Sequence, residues 1–359
     1  MTSSSDAAEG RPEERRKPQR SLLRRTVQVG VSLGVVVGIF LGILPQVADF
    51  SRVWDAIVDL TWLELFTLAL AAAWNIATYA FVMIAALPRL TFVQAFVVGQ
   101  SSTAIATSLP AGSALGVGVT YAMYSSFGRS GSEIALAAVL TGIWNNFVKL
   151  GLPVVALVLL VVQGKAGVAL VTAAIMGSAA LAGSIVLFTL ALRSPDVARR
   201  IGTTMANLVS FIRGIAHRPP VVWTDSAVRF RAETIDLLRD RWLVLTLASI
   251  VSHLSLYFVL LLALRHMGIS DAEVSWSEAL GAFALVRLVT ALPVTPGGLG
   301  LVELGLTAGL VVAGGDESGV VAAVLVYRFL TLIVQVPLGA LSYLVWRGRP
   351  AWRHPAPQD

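Results

Sequence analysis

The chain has 359 residues, 56% of them hydrophobic and 13% charged, with a formal net charge of +6, no cysteine and a mean hydropathy of +0.77. Soluble domains carry about 25% charged residues, so the shortfall points to a chain that lives largely in hydrocarbon. The missing cysteines exclude disulfides, thiolate chemistry and cysteine-based metal sites, and His217, His253, His266 and His354 lie too far apart for an HExxH pair.

In chain order, residues 1–26 form a polar, basic tail whose composition predicts disorder. Residues 27–44 form a first span. No small-x-small cleavage site follows before Pro45, so the expectation is an uncleaved anchor. Residues 49–60 place Phe50, Val53, Trp54, Ile57 and Leu60 at helical spacing opposite Asp49, Asp55 and Asp59, which predicts an interfacial amphipathic helix. Further spans are expected at about 62–87, 133–162, 166–192, 242–264 and 319–346, each able to cross a core about 30 Å thick. The apolar stretches 91–127 and 277–313 are each interrupted near the middle, by LPAGSALG at 109–116 and LPVTPGGLG at 292–300. They read as two hairpins of broken or re-entrant helices, with pairs of short spans as the alternative. Loop 193–241 has amphipathic periodicity (Ile201, Met205, Leu208, Val209, Ile212) and a break at Pro219-Pro220, which predicts two surface helices. The fold class is thus all-α: a polytopic helical membrane protein with about six full spans and two broken hairpins. Residues 27–346 form the transmembrane domain and 347–359 a tail.

Of the 27 lysines and arginines, 21 fall in the N-terminal tail, at Arg89 and Arg129, in loop 193–241 and in the C-terminal tail. The opposite side holds only Arg52, Lys165 and Arg265. The positive-inside rule places both termini and the long loop in the cytoplasm of a multi-pass cell (inner) membrane protein. The excess charge is a topology signal with attraction for anionic lipid, and a nucleic-acid partner is not expected.

Residues 62–162 and 242–346 resemble one another at an offset of about 180–185. Trp62-Leu63 matches Trp242-Leu243, Leu109-Pro110 matches Leu292-Pro293, and AAVL at 137–140 matches AAVL at 322–325. Three spans lie between the two hairpins, and an odd number of crossings inverts the second unit. Inverted repeats with discontinuous helices are the architecture of secondary transporters, whose sites lie at the repeat interface near the midplane.

Lys149, Arg287, Glu303 and Arg328 fall inside apolar stretches. Each would cost about 2.5–3.5 kcal/mol at a lipid-facing bilayer centre, so they should face the interior, a cavity or one another. One reading is three cations lining a path for an anionic headgroup, with Glu303 orienting an arginine. The other is a structural Glu303–Arg328 pair, with Lys149 snorkelling to the interface. In the segment 292–303, Pro293 and Pro296 remove amide donors, and Gly297, Gly298 and Gly300 permit φ > 0 and close approach. Thr295 adds a hydroxyl, and the helix restarting near Leu299 exposes amides to an anion. A tight packing turn explains the same residues. The first hairpin carries Ser101, Ser102, Thr103, Thr107, Pro110 and Gly112, which suit close packing or a polar cavity. Trp74, Asn75, Tyr79, Asn145, Asn146 and His253 are polar positions inside spans that read as interhelical hydrogen-bonding groups. No catalytic set, carboxylate pair or metal-ligand cluster is apparent. The expectation is a non-enzyme without cofactor or metal.

At LPVTPGGLGLVE the sequence resembles the flippase-like transmembrane family, the MprF/YbhN-like membrane region of lysylphosphatidylglycerol synthase/flippases. The family's Pro-x-x-Pro-Gly-Gly-x-Gly-x-x-Glu element maps onto Pro293, Pro296, Gly297, Gly298, Gly300 and Glu303. Its Pro-x-Gly element resembles Leu109–Gly112, and a Tyr-Arg pair resembles Tyr327-Arg328. The resemblance covers about residues 30–346. It implies translocation of an anionic or zwitterionic phospholipid or lipid-linked precursor, with membrane lipids as partners. The C-terminal acyltransferase-like domain of the bifunctional synthases has no counterpart in this sequence, so lipid aminoacylation is not expected. The alternative is a non-transport scaffold that binds a lipid-modifying enzyme through loop 193–241. Candidate substrate-binding residues are Arg287, Pro293, Thr295, Pro296, Gly297, Gly298, Gly300, Glu303, Tyr327, Arg328, Pro110, Gly112, Lys149 and Asn145.

Overall fold

Hydrocarbon offers backbone groups no hydrogen-bond partner, so a chain this apolar must satisfy them within its own segments. The computed structural model describes residues 55, 57–108, 112–165, 167–215, 224–290 and 296–352. The expected basic tail, the first span at 27–44 and most of the interfacial helix at 49–60 lie outside them. The described residues form a helical membrane protein with five helices long and apolar enough to cross a bilayer. The elements are α1 (Trp62–Ala86), α2 (Phe92–Ser108), α3 (Gly112–Ser126), α4 (Gly131–Val162), α5 (Val168–Arg193), α6 (Pro195–Ile215), α7 (Thr224–His266), α8 (Trp276–Val289), α9 (Leu301–Val312), α10 (Glu317–Arg328) and α11 (Gln335–Gly348).

Two stretches depart from the sequence expectation. The second surface helix of loop 193–241 and the span after it are a single helix, α7, of 43 residues. At about 1.5 Å per residue it is roughly twice as long as the hydrocarbon is thick. Neither glycine nor proline occurs between Thr224 and His266, so the change from polar to apolar composition changes the solvent and not the backbone. The last span, in contrast, is interrupted by a π-turn at Phe329–Ile333, where the Val334 amide donates to the Phe329 carbonyl. Pro337 lacks the amide that would continue the ladder there.

Both hairpins are re-entrant: they enter from opposite faces, yet Gly297 of the second packs against Thr107 of the first. Arg129 donates to the Arg89 carbonyl at 2.8 Å, so α2 enters and α3 leaves on the same side. The turn after α9 returns to the loop before α8, where Gly314 packs on the Glu273 carbonyl. That loop lies on the opposite side: Lys165, at the far end of α4, pairs with Glu278 at 2.9 Å. The hairpins therefore dip in from opposite faces. Two apolar clusters follow the same division. One centres on α2, α3 and the first half of α4, the other on α8, α9 and the end of α7.

The two units are related by inversion. α1 and α7 pack antiparallel, with Thr67 against His266 at one end and Asn75 donating to Ser255 Oγ at 2.9 Å in the middle. Asn75 and Ser255 differ by the repeat offset, so equivalent positions touch where a two-fold axis would pass. The exchange is reciprocal: α2 packs on α11 of the second unit, and α8 packs on α4 of the first. Capping boxes at equivalent positions open both hairpins, Thr91 with Gln94 and Ser275 with Glu278. At the α2–α11 crossing, Gly339 lies directly on the Gln100 carbonyl and Ala104 Cβ.

A Gly339→Leu substitution forces these backbones apart. It is expected to destabilise the protein by about 3 kcal/mol, the upper end of overpacking penalties, read as a lower melting temperature in detergent. The absence of cysteine makes site-directed labelling clean. Arg89→Cys and Arg129→Cys are expected to react with an impermeant maleimide from one face, and Asp271→Cys and Asp316→Cys from the other. Labelling of residues 89 and 129 from opposite faces would contradict a re-entrant first hairpin.

Candidate functional site

The inner ends of the two hairpins meet between the apolar clusters, where Gly297 packs against Thr107. Around the second tip, Pro296–Gly298 make a single 3-10 turn with Gly297 at φ 61° and Gly298 at φ 67°, and Gly300 at φ 79° precedes α9. Side chains other than glycine rarely adopt these angles, so the glycine-rich composition follows directly from the turn. Arg328, from α10, closes the turn. Its Nε donates to Glu303 Oε1 at 2.6 Å and its Nη2 to the Gly297 carbonyl at 2.9 Å. Glu303 is buried, to 2% exposure, and Arg328 is partly buried. The Glu303–Arg328 pair is therefore structural, and it also orients the arginine. The Glu303–Arg328 pair expected as one of the two readings is present.

Lys149 does not snorkel to an interface. Its Nζ donates to the Thr290 carbonyl at 3.5 Å, at the end of α8. Arg287 donates through Nη2 to His253 Nε2 at 3.2 Å, and His253 Nδ1 lies 3.0 Å from the Ser249 carbonyl. An arginine can only donate and a carbonyl can only accept, so this geometry selects the neutral imidazole with its proton on Nδ1. Among the described residues, Lys149 and Arg287 form no ion pair with a carboxylate.

Two cavities open beside these groups. The larger, of about 310 Å³, is lined by Lys149, Arg287, Arg328, Tyr327, Gly297 and Gly298, together with Thr103, Thr107 and Ser113 of the first hairpin. The smaller, of about 210 Å³, is lined by Asn75, Gln100, Asn145, Ser249, His253 and Arg287. Arg287 belongs to both walls. α9 starts at this site with Gly300 as its cap and no side-chain cap bond, so no side chain occupies its first amides.

The sequence candidates divide accordingly. Lys149, Arg287, Arg328, Tyr327, Gly297 and Gly298 meet in the cationic cavity. Asn145 lines the neutral one. Gly112 instead packs beneath the Ile105 and Ala106 carbonyls, and Gly300 serves as a helix cap. Pro110, Pro293 and Thr295 lie outside the described residues, and Pro296 contributes the first residue of the turn. Asn146 and Trp74 are exposed on the outer surface. Sequence reasoning did not single out Gln100, Thr141, Thr290, Thr331 or Gln335. Gln100 and Gln335 carried a signal, as amides following or inside apolar residues in VVGQSST and LIVQVPL. Helical threonines give none, because their hydroxyls also bond their own helix, as Thr331 does to the Tyr327 carbonyl.

Among the described residues, no three His, Asp or Glu side chains converge as a metal site. No curated protein matches the chain. The model of the lysylphosphatidylglycerol synthase TM region matches residues 31–339, and so includes both hairpins, the clasp at Arg328 and both cavities. By that match the chain is a multi-pass membrane protein of the lysylphosphatidylglycerol synthase transmembrane family, a family of lipid-handling proteins.

Proposed function

We propose that the protein is a lipid flippase-type transporter that moves an anionic phospholipid or lipid-linked precursor between the leaflets of a cell membrane. The observation that carries this reading is the pair of cations, Lys149 and Arg287, lining an internal cavity with no carboxylate partner among the described residues. Buried charge of one sign is expensive without a counter-ion, and a headgroup phosphate supplies one. The uncapped start of α9 adds backbone donors on the same side of the cavity. Two re-entrant hairpins entering from opposite faces provide the symmetric halves that alternating access requires. The direction of the cavity's exposure would change as one unit rocks against the other.

Arg89, Arg129, the α6–α7 segment and Arg347 lie on one side of the bundle, and Lys165 and Arg265 on the other. The basic side is assigned to the cytoplasm on this imbalance. Energy for transport is assigned to an ion gradient or to the lipid's own gradient, since the sequence has no nucleotide-binding motif.

In proteoliposomes containing the full chain, Arg287→Ala and Lys149→Gln are each expected to slow translocation of a fluorescent anionic phospholipid by about tenfold or more, the scale of one lost charge-assisted hydrogen bond. Wild-type rates in both variants would reject the site. Glu303→Ala behaves differently. It strands Arg328 without its partner and is expected to destabilise the fold by about 3–5 kcal/mol, measured as a lower melting temperature of the purified protein.

A further inference from the structure

Glu303 keeps its charge on a single contact. Both oxygens of an ionised carboxylate accept hydrogen bonds. Oε1 accepts from Arg328 Nε at 2.6 Å, while Oε2 is buried and has no partner among the described residues. The residue is 2% exposed and lines neither cavity. Buried polar atoms in native proteins are almost always partnered, so a bare carboxylate oxygen calls for an explanation.

The surroundings narrow it. α9 packs on α8 and α10 and carries no other ionisable side chain. α10 brings Arg328 and Tyr327, and α8 brings Arg287. Tyr327 lies within electrostatic reach of Arg287, Arg328 and Glu303 alike. Glu278, Asp316 and Glu317 belong to the opposite ends of those helices. A metal cation at Oε2 would sit beside a guanidinium with no second carboxylate to help hold it. A proton needs only the bare oxygen.

Arg328 is the partner that can change. It clasps Glu303 and also lines the larger cavity. It is the last residue of α10, where the π-turn interrupts the helix. An anion in the cavity, held beside it by Lys149 and Arg287, competes with Glu303 for the one guanidinium charge. If the anion wins, Glu303 is left as an unpaired buried carboxylate, which is costly ionised and far less so protonated. His253 is a poorer acceptor, since a proton on its Nε2 would face Arg287 Nη2.

We infer that Glu303 is a proton-binding site linked to the cavity through Arg328, so that an anionic lipid and a proton are bound and released together. The Arg328 bond passes from Glu303 to the anion, and a proton from water forms an O–H bond at Oε2. Departure of the anion reverses both steps. The inference rests on the lipid-transport reading and names the ion that drives it. A lipid with one negative charge then crosses with no net charge, driven by a pH gradient and not by membrane potential.

The test uses the purified full-length protein in phosphatidylcholine nanodiscs, with fluorescent phosphatidylglycerol as a probe of one fixed charge and a pH indicator in weak buffer. Binding is expected to take up about one proton per lipid, and affinity to rise about tenfold for each unit by which the pH falls. Glu303→Gln keeps an oxygen for Arg328 but cannot titrate. It is expected to show neither the proton uptake nor the pH dependence. Should Glu303→Gln fail to melt cooperatively, the wild type in proteoliposomes decides: an imposed pH gradient is expected to drive lipid movement, and an imposed potential is not. Binding without proton uptake, pH dependence retained in folded Glu303→Gln, proton uptake lost in His253→Gln, or movement driven by potential alone overturns the inference and leaves the transport reading standing. If no anionic lipid binds, the transport reading falls, and this inference falls with it.

Discussion

The centre of this molecule depends on Arg328. A guanidinium deep in a bilayer is tolerated only where protein groups replace its water, and Glu303 and the Gly297 carbonyl do so here. The same two bonds tie α10 to α9 and to the glycine turn. They hold the second hairpin at mid-depth, where it stops and reverses instead of crossing. Once the hairpin stops there, its backbone lines a cavity instead of meeting lipid, which is the condition for irregular backbone at membrane depth. The clasp therefore explains both the shape of the second hairpin and the existence of a polar chamber.

The first hairpin achieves a similar reversal without charge. Gly112 fits beneath the Ile105 and Ala106 carbonyls, and Ser102 Oγ donates to the Gly116 carbonyl at 3.1 Å. Small residues let α2 and α3 approach closely, and α11 packs against α2 through Gly339. The pseudo-symmetry is thus one of topology and not of chemistry. The second unit supplies Arg287, Arg328 and the turn. The first supplies Lys149, with Thr103, Gln100 and Asn145 as its hydroxyls and amides. This asymmetry produces two adjoining cavities of unlike character, with Arg287 shared between their walls.

The outer surface follows from the same division. α5 is mostly exposed along its length, with Val168, Ile175, Met176 and Leu187 facing outward, as a helix bathed in acyl chains requires. Ion pairs sit at the ends of the bundle, at Lys165–Glu278 and Arg265–Asp271, where water keeps the desolvation cost of charge low. Charge at the rim orients the protein. Charge at the centre is either paired, as Arg328 is with Glu303, or lines a cavity, as Lys149 and Arg287 do.

Much of the architecture was legible in the one-dimensional pattern. Hydrocarbon thickness sets a length and a polarity for every span, so the five spans among the described residues stand close to where their apolar runs predict them. The repeat, the two interruptions and the four interior charges were visible as well, because glycine, proline and ionised side chains are each rare and costly in such a setting. The unbroken length of α7 and the π-turn after Arg328 were not, since hydropathy records solvent and not hydrogen-bond register. Nor could the sequence say that the hairpins turn back. A segment of 15 residues can cross thin or stop short. The contacts at its ends fix only the face it enters from, and it is the packing of Gly297 against Thr107, between hairpins that enter from opposite faces, that shows both stopping short. The sequence by itself determined which side chains cannot face lipid. Their partners were decided only by the tertiary structure, because Glu303 and Arg328, or Arg287 and His253, meet through packing between helices distant in the chain, which no local spacing encodes.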